Sequence, residues 1–449
     1  MVSKSTQATD VIKACNTIAC SDCGFINECP VLEPGEKYLC RRCKHPLRSL
    51  KHDWETRVTA LIVTSFILFI CSNSFSFLSV EAGFQSQSAN LLSGVLALIN
   101  NEQITLALLV FLTIFIFPLV ELSALSYVFI SKFLHKKPPG IRLCLKFLVH
   151  SRAWNMLDIF MVGVLVTSVK LGESATLIPG IGLFSFACLI ITLIIINLHL
   201  NFHALWSWYR ADNYFAGTTD KQLFACLTCR ATIGISLIDQ NSPCPRCHSK
   251  VRPRVRYSLQ KTSALLITAA ILYIPALILP IMTVTSFGRQ SQDTILSGVI
   301  YLFGGGLWFI ASVVFVASIV VPILKLLTLA YLLWSVHYKH QAHRHTRQRL
   351  FKLTEFIGRW SMIDVFVITL LVALVQFGII MNIRPEPAAL AFAAVVIITM
   401  IAVETFDTRL LWDESEPSQD QCTLHTPHQN DSSTSPNSSY KIMSDNNNG

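Results

Sequence analysis

Eight cysteines in two matching sets carry the clearest chemistry in this chain: Cys20 and Cys23 with Cys40 and Cys43, then Cys226 and Cys229 with Cys244 and Cys247. A Cys-x2-Cys knuckle presents two thiolates on one face, and two knuckles close a tetrahedral four-cysteine cage suited to structural Zn(2+). The pattern therefore predicts two zinc ribbons of roughly 30 residues, each too small to fold on a core of its own without metal. Iron in the same cage is the main alternative, and a redox-active dithiol or disulfides are the others. A thioredoxin-like dithiol would occur once, within a βαβ pattern that is absent here. With four protein ligands each, the cages are closed and leave no position for a substrate. Cys15 and Cys29 fall outside the spacing. Cys71, Cys144, Cys188 and Cys422 lie in apolar, loop or tail segments, where a lone thiol is a small hydrophobe or simply exposed.

The segments that must position these cages are apolar. Hydrophobic residues make up 52% of the 449-residue chain, charged residues 14%, and mean hydropathy is +0.51, values typical of membrane proteins. Apolar windows of spanning length lie at residues 58–79, 104–130, 155–171, 178–202, 262–284, 306–334, 361–381 and 387–406, predicting eight transmembrane helices, four after each ribbon. The expected class is an all-α polytopic membrane protein of two tandem repeats. Its parts are a disordered N-terminus (1–14), zinc ribbon 1 (15–52), a four-helix membrane domain (53–210), zinc ribbon 2 (211–257), a second four-helix domain (258–412) and a disordered tail (413–449). The N-terminus is polar and shows no cleavable signal. The tail is rich in Ser, Asn, Asp, Gln and Pro.

The chain is one unit written twice. Cys20 to Cys226 and Cys23 to Cys229 are displaced by 206 positions, and the second pair of each set by 204. Leu92-Ser93-Gly94 matches Leu296-Ser297-Gly298, and Pro118 matches Pro322, at 204; Trp154-x-Met156-x-Asp158-x-Phe160 matches Trp360-x-Met362-x-Asp364-x-Phe366 at 206. An even number of spans per copy gives both copies one orientation and a pseudo-two-fold axis along the membrane normal, whose interface favours a substrate site. Apolar runs at 91–99 and 295–303 are too short to span. They read as interfacial or re-entrant segments, or as helix starts with a polar break.

Basic residues set the expected topology. Lys132, Lys136, Lys137, Arg142, Lys146 and Arg152 crowd one loop, and Lys339, Arg344, Arg347, Arg349, Lys352 and Arg359 its counterpart. Both loops are therefore expected in the cytoplasm, with both ribbons and both termini. A reducing compartment also favours thiolate–zinc over disulfide. The net charge of +9 is then a topology signal, and nucleic-acid binding is not expected. His337, His340, His343 and His345 in the second loop suit a solvated loop, with metal or acidic headgroups as the alternative.

Charges within the spans are the candidates for function. Lys325 sits mid-helix three residues after Pro322, and its repeat equivalent is Glu121 after Pro118. An intramembrane ammonium costs several kcal/mol unless it meets a cavity or a carboxylate. Each proline frees carbonyls of the preceding turn and permits a hinge. Asp158 and Asp364 open the third span of each copy, as partners across the bundle or as helix caps. Lys170, matched by Gln376, lies near a span end where lysine can snorkel. Glu404 closes the last span, Asp407 and Arg409 suit a local ion pair, and Glu355 a solvated contact before Trp360.

Trp360-Ser361-Met362-Ile363-Asp364-Val365-Phe366, Val321-Pro322-Ile323-Leu324-Lys325, Leu279-Pro280-Ile281-Met282 and Thr405-Phe406-Asp407-x-Arg409-Leu410-x-Trp412 closely resemble the paraquat-inducible protein A family, over about residues 15–413. The second copy matches better. The first has Ser72-Asn73-Ser74-Phe75-Ser76-Phe77 where prolines are commoner, and ends His203-Ala204-Leu205-Trp206 without Asp-x-Arg. Pro275-Ala276-Leu277-Ile278-Leu279-Pro280 also departs from the family's Pro-Ala-Asn-Ile-Leu-Pro. The resemblance implies a bacterial inner-membrane protein working with a periplasm-spanning MCE-domain partner to move lipid or other hydrophobic molecules between membranes.

Three function classes follow: a lipid-handling transport component, a redox- or metal-responsive membrane protein, and a non-transporting scaffold. No Walker motif is present, so a transporter would draw on a proton or lipid gradient. An enzyme is not expected, because no Ser/His/Asp elbow, zincin helix or dinucleotide fingerprint is visible.

Overall fold

The computed structural model describes residues 17–30, 33, 35–49, 54–82, 85–152, 154–171, 176–210, 223–235, 242–252, 254–286, 289–306, 308–338, 344–374 and 381–412. The first copy opens with hairpins of β1 (Thr17–Ala19) with β2 (Ile26–Glu28) and β3 (Lys37–Leu39) with β4 (Pro46–Ser49). Then come α1 (Trp54–Ser74), β5 (Leu78–Ala82), β6 (Gln85–Ala89), α2 (Ser93–Asn100), α3 (Ile104–Phe133), α4 (Ile141–Ser151), α5 (Leu157–Leu171), β7 (Thr176–Pro179), α6 (Ile181–His199) and α7 (Phe202–Tyr209). The second copy opens with the hairpin of β8 (Leu223–Ala225) and β9 (Thr232–Gly234), followed by α8 (Ser258–Ile278), β10 (Met282–Ser286) and β11 (Arg289–Asp293). It continues with α9 (Ile295–Gly304), α10 (Ala311–His337), α11 (Arg344–Gly358), α12 (Ile363–Leu374), β12 (Met381–Pro385), α13 (Pro387–Thr405) and a 3-10 turn, Thr408–Trp412. The segments expected to be disordered, 1–14 and 413–449, lie outside the described residues, as do Cys15 and Cys422.

Among the described residues six helices, α1, α3, α6, α8, α10 and α13, are long and apolar enough to cross a membrane. Their outward faces explain why. On α8, Ile267, Ile271, Ile274 and Ile278 are exposed at a spacing that makes one stripe along the helix. A soluble protein buries such a stripe, whereas a bilayer solvates it. Inward, the first and fourth helices of each copy pair through small polar side chains: Ser65 Oγ donates to Thr192 Oγ1 at 3.0 Å, and the hydroxyls of Thr262 and Thr405 meet at 3.2 Å. Small residues let helices approach closely where apolar burial gives no drive between them.

At the end remote from the ribbons the same helices are tied by antiparallel sheets of strand order β6-β5-β7 and β11-β10-β12. Leu78 pairs with Pro179, and Met282 with Pro385. The expected windows 58–79 and 262–284 thus overrun α1 and α8 into β5 and β10. Apolar content does not separate a short buried strand from the end of a helix. The short runs at 91–99 and 295–303 form α2 and α9, each distinct from the long helix after it. In α9, Thr294 Oγ1 accepts from the Ser297 amide at 3.1 Å, and Ser297 Oγ accepts from the Thr294 amide at 2.9 Å, a reciprocal cap.

The third segment of each copy is a broken pair. Helices α5 and α12 have 15 and 12 residues, about 22 and 18 Å at 1.5 Å per residue, and each then passes outside the described residues. Before them, amphipathic α4 and α11 pack back along α3 and α10, so the basic loops hold helices rather than solvated coil. The copies meet where α5 crosses α12. Phe160 and Phe366, the same position in each copy, touch there edge to face, with centroids 5.5 Å apart at 83°, so a pseudo-two-fold axis passes between these rings.

Candidate functional site

The four knuckles share one backbone device. The residue after the second cysteine is left-handed in each: Gly24 (φ 74°), Lys44 (φ 59°), Arg230 (φ 56°) and His248 (φ 54°). Its amide donates back to the carbonyl of the first cysteine, at 3.0 Å for Gly24 and Lys44, 2.9 Å for Arg230 and 2.7 Å for His248. This tight turn aims both thiols at one point. The Sγ atoms stand 3.5 Å apart for Cys20 and Cys43, 3.6 Å for Cys23 and Cys40, 3.6 Å for Cys226 and Cys247, and 3.7 Å for Cys229 and Cys244. A tetrahedral site with about 2.3 Å metal–sulfur bonds has edges of about 3.8 Å, so both sets fit a metal ion. All eight thiols are buried, and each set lies within 4.8 Å. Cys29 is buried beside its neighbour's carbonyl, while Cys71 and Cys144 are half-buried and Cys188 is exposed.

Each ribbon is seated on the other copy's membrane domain. Ribbon 1 buries its four cysteines against Leu329, Phe351, Val403 and Trp412 of the second copy. Arg42, inside its second knuckle, donates to the Trp412 carbonyl at 3.2 Å, and Thr408 Oγ1 donates to the Asp22 carbonyl at 3.3 Å. Ribbon 2 does the same to the first copy: Arg246 donates to the Trp206 carbonyl at 3.2 Å, and Arg210 to the carbonyl of Pro245. The ribbons also touch each other, where the Ala19 amide donates to Thr232 Oγ1 at 3.2 Å. The sequence places each ribbon before its own copy's helices and does not show this exchange. The one signal was an arginine just before the fourth cysteine in both ribbons.

Between the copies, under the ribbons, lies an open cavity of about 690 Å³. Lys325 is its most buried cation, 3% exposed, twelve residues before His337 and so roughly 18 Å along α10 at 1.5 Å per residue. Helix α11 runs back to this depth and ends at Gly358, whose carbonyl is the partner of Lys325 Nζ at 3.5 Å. A Cβ at Gly358 would stand 2.9 Å from that nitrogen and 3.0 Å from Cε; the missing side chain is the space the lysine fills. Among the described residues no carboxylate lies within ion-pair distance of Lys325. At the equivalent site of the first copy Glu121, 3% exposed, accepts from Asn155 Nδ2 at 2.6 Å. The residue matching Gly358 there is Arg152, which donates to Asn197 Oδ1 at 2.8 and 3.1 Å. Burial lowers the Arg152 pKa and the Glu121 charge opposes this, while Arg230 and Arg359 add to the lowering. So one copy pairs a glutamate with an arginine at these two positions, and the other a lysine with a glycine.

The other expected residues are spread out. Asp158 is exposed at the start of α5. Asp364 is half-buried and within coulombic reach of Tyr273. Neither meets Lys325. Lys170 lies in the last turn of α5, and Gln376 is outside the described residues. Glu404 and Glu355 line the cavity. Asp407 and Arg409 form the expected ion pair at 3.0 Å, fully buried. Pro118 and Pro322 each follow a π turn, Leu112–Ile116 and Val316–Val320. Proline has no N–H and crowds the carbonyl four residues back; a widened turn absorbs both effects, so the helices continue through. His337 ends α10, the His345 ring packs on Trp412 with centroids 5.1 Å apart, and His340 and His343 lie outside the described residues.

The paraquat-inducible protein A family model matches residues 56–210 and 259–416, one block per copy. The chain is 34% identical over 398 residues to lipophilic envelope-spanning tunnel protein A of Escherichia coli K12, covering 88% of this chain and 91% of that protein. It is 34% identical over 421 residues to intermembrane transport protein PqiA of the same strain, covering 90% and 98%. A probable intermembrane transport protein of Haemophilus influenzae is 34% identical over 403 residues, covering 88% and 95%. No solved structure matches the chain.

Proposed function

The chain belongs to the paraquat-inducible protein A family, and we propose that it is the inner-membrane component of an intermembrane transport system for lipid or another hydrophobic molecule. It hands that cargo to, or receives it from, a periplasm-spanning MCE-domain partner and so contributes to envelope integrity and stress resistance. The observation that carries this reading is the cavity between pseudo-symmetric copies, which reaches the buried Lys325. An ammonium inside a membrane costs roughly 3 kcal/mol and persists where it serves a pathway. The relatives' names, with intermembrane transport and a lipophilic envelope-spanning tunnel, point the same way.

In this reading the ribbon face is cytoplasmic and the sheets face the periplasm, because the basic helices α4 and α11 lie on the ribbon side. The cages hold two structural Zn(2+) ions, a metal a reducing compartment leaves bound to thiolates. Zinc supplies folding free energy and no reaction, and the protein is a carrier rather than an enzyme. Proton coupling would act through Glu121, Asp158, Asp364 or Lys325, with Lys170 and Glu404 at span ends, and Pro118 and Pro322 as hinges beside the π turns. Lys325→Ala is expected to abolish lipid transfer and the envelope phenotype at normal protein level. Wild-type transfer by that variant would sink the reading.

A further inference from the structure

We propose that the cavity under the ribbons is a binding site for a phosphate group, carried by a membrane lipid or by a soluble phosphate. The proposal deepens the transport reading and rests on it for the lipid source alone. Three guanidinium groups reach the cavity from three separate parts of the fold: Arg152 from the end of α4 in the first copy, Arg230 from ribbon 2, and Arg359 from the turn after α11 in the second copy. They are close enough that Arg152 feels the charge of the other two. The side chains of Arg230 and Arg359 make no hydrogen bond or ion pair among the described residues. Lys325, almost wholly buried, faces the same space with one long contact to a carbonyl.

Like charges brought together from distant segments repel, and the arrangement is stabilised when an anion sits among them. Forked guanidinium donors match phosphate oxygens in pairs, and an ammonium adds a point charge. The cavity's carboxylates do not fill this role. Asp22 is taken by His45 at 2.9 Å and Lys352 at 3.4 Å; Glu121, which acts on Arg152, Glu355, which acts on Arg359, and Glu404 are left against three arginines and Lys325. About 690 Å³ is within the range of ligand sites. The walls beside the cations, Phe351, Phe356, Met400 and Val403, are apolar, as glycerol and acyl carbons would require.

The test uses the full-length, metal-loaded protein in phosphatidylcholine nanodiscs. Pyrophosphate binding is read by calorimetry, and short-chain phosphatidylglycerol binding by native mass spectrometry. Binding of either probe supports the site, and the stronger one identifies its source. The double variant Arg230→Gln with Arg359→Gln should bind at least tenfold more weakly, with unchanged melting temperature and metal content. Glu404→Gln should bind severalfold more tightly, a gain that misfolding does not produce. Binding of neither probe by the wild type, or equal binding by the double variant, overturns the site. Should lipid transfer persist in that case, the transport reading stands without it.

Discussion

The guanidinium of Arg42 donates to the carbonyl of Trp412 at 3.2 Å and lies over its ring, 4.9 Å from the centroid. The repeat mates Arg246 and Trp206 make the same hydrogen bond at the same distance. Each ribbon therefore belongs by sequence to one copy and by packing to the other. The entry points show the same symmetry. Asn201 donates to the Ser49 carbonyl at 2.7 Å, and its mate Asp407 accepts from the amide of Val255, in the corresponding segment after ribbon 2, at 3.0 Å.

Removing one of these arginines should loosen one ribbon. Arg42→Ala deletes a charge-assisted hydrogen bond and a cation–π contact, about 2–3 kcal/mol together. Arg246 is more deeply buried, 3% exposed, so Arg246→Ala should cost more. Unfolding in detergent followed by tryptophan fluorescence checks the order, and hydrogen exchange should rise in the ribbon concerned. No change in either variant would mean that the ribbons are held by their apolar contacts alone.

Because the ribbons are exchanged, metal should help hold the copies together. A protease site inserted in residues 211–222 divides the chain into two fragments, each carrying one ribbon and one membrane domain. The cleaved fragments should copurify, and a strong chelator should weaken that association as the ribbons unfold, since structural zinc supplies on the order of 10 kcal/mol in such small modules. Fragments that stay together equally well after verified metal loss would assign the cohesion to the α5–α12 crossing instead.

Repetition and local chemistry were legible in the sequence because both are written at fixed spacing. The cysteine sets, the long apolar helices and the Asp407–Arg409 pair all follow from neighbours a few residues apart. What escaped depends on contacts across hundreds of positions. Nothing in the spacing of Cys20 to Cys43 shows that this ribbon rests on Phe351 and Trp412. The strands β5 and β10 were absorbed into helices because they continue the same apolar run. Lys325 was legible as a buried charge in need of a cavity or a carboxylate, and it faces the cavity; the glycine that makes room for it carries no pattern.

The contrast between the copies can be tested by rebuilding one in the other. Lys325→Glu sets a buried carboxylate against the Gly358 carbonyl that Lys325 Nζ now contacts at 3.5 Å, and should destabilise by roughly 3–5 kcal/mol, as a buried charge without its hydrogen-bond partner does. Adding Gly358→Arg restores the first copy's combination of Glu121 and Arg152. The double variant should recover about 1–3 kcal/mol relative to the sum of the two single changes. Additive losses in a double-mutant cycle of melting temperatures would mean that the two positions changed independently.

Acid sensitivity should include a contribution from Asp407. Burial disfavours its charge, but the hydrogen bonds from Arg409, with the backbone amides of Val255 and Arg409, bring its pKa below the ordinary 3.8. The unfolded chain then binds more protons than the folded one near that pH, so stability rises with pH there. The contribution is complete above the unfolded pKa and is lost as pH falls through the lower folded value. Asp407→Asn leaves Arg409, 2% exposed, without its counter-charge and should cost roughly 3–5 kcal/mol at pH 7. Melting temperatures of wild type and variant should therefore converge as pH falls through the ordinary 3.8 and below the folded value, the wild type losing more. A gap that stays constant over that range would show that the carboxylate is held by geometry, with no help from its charge.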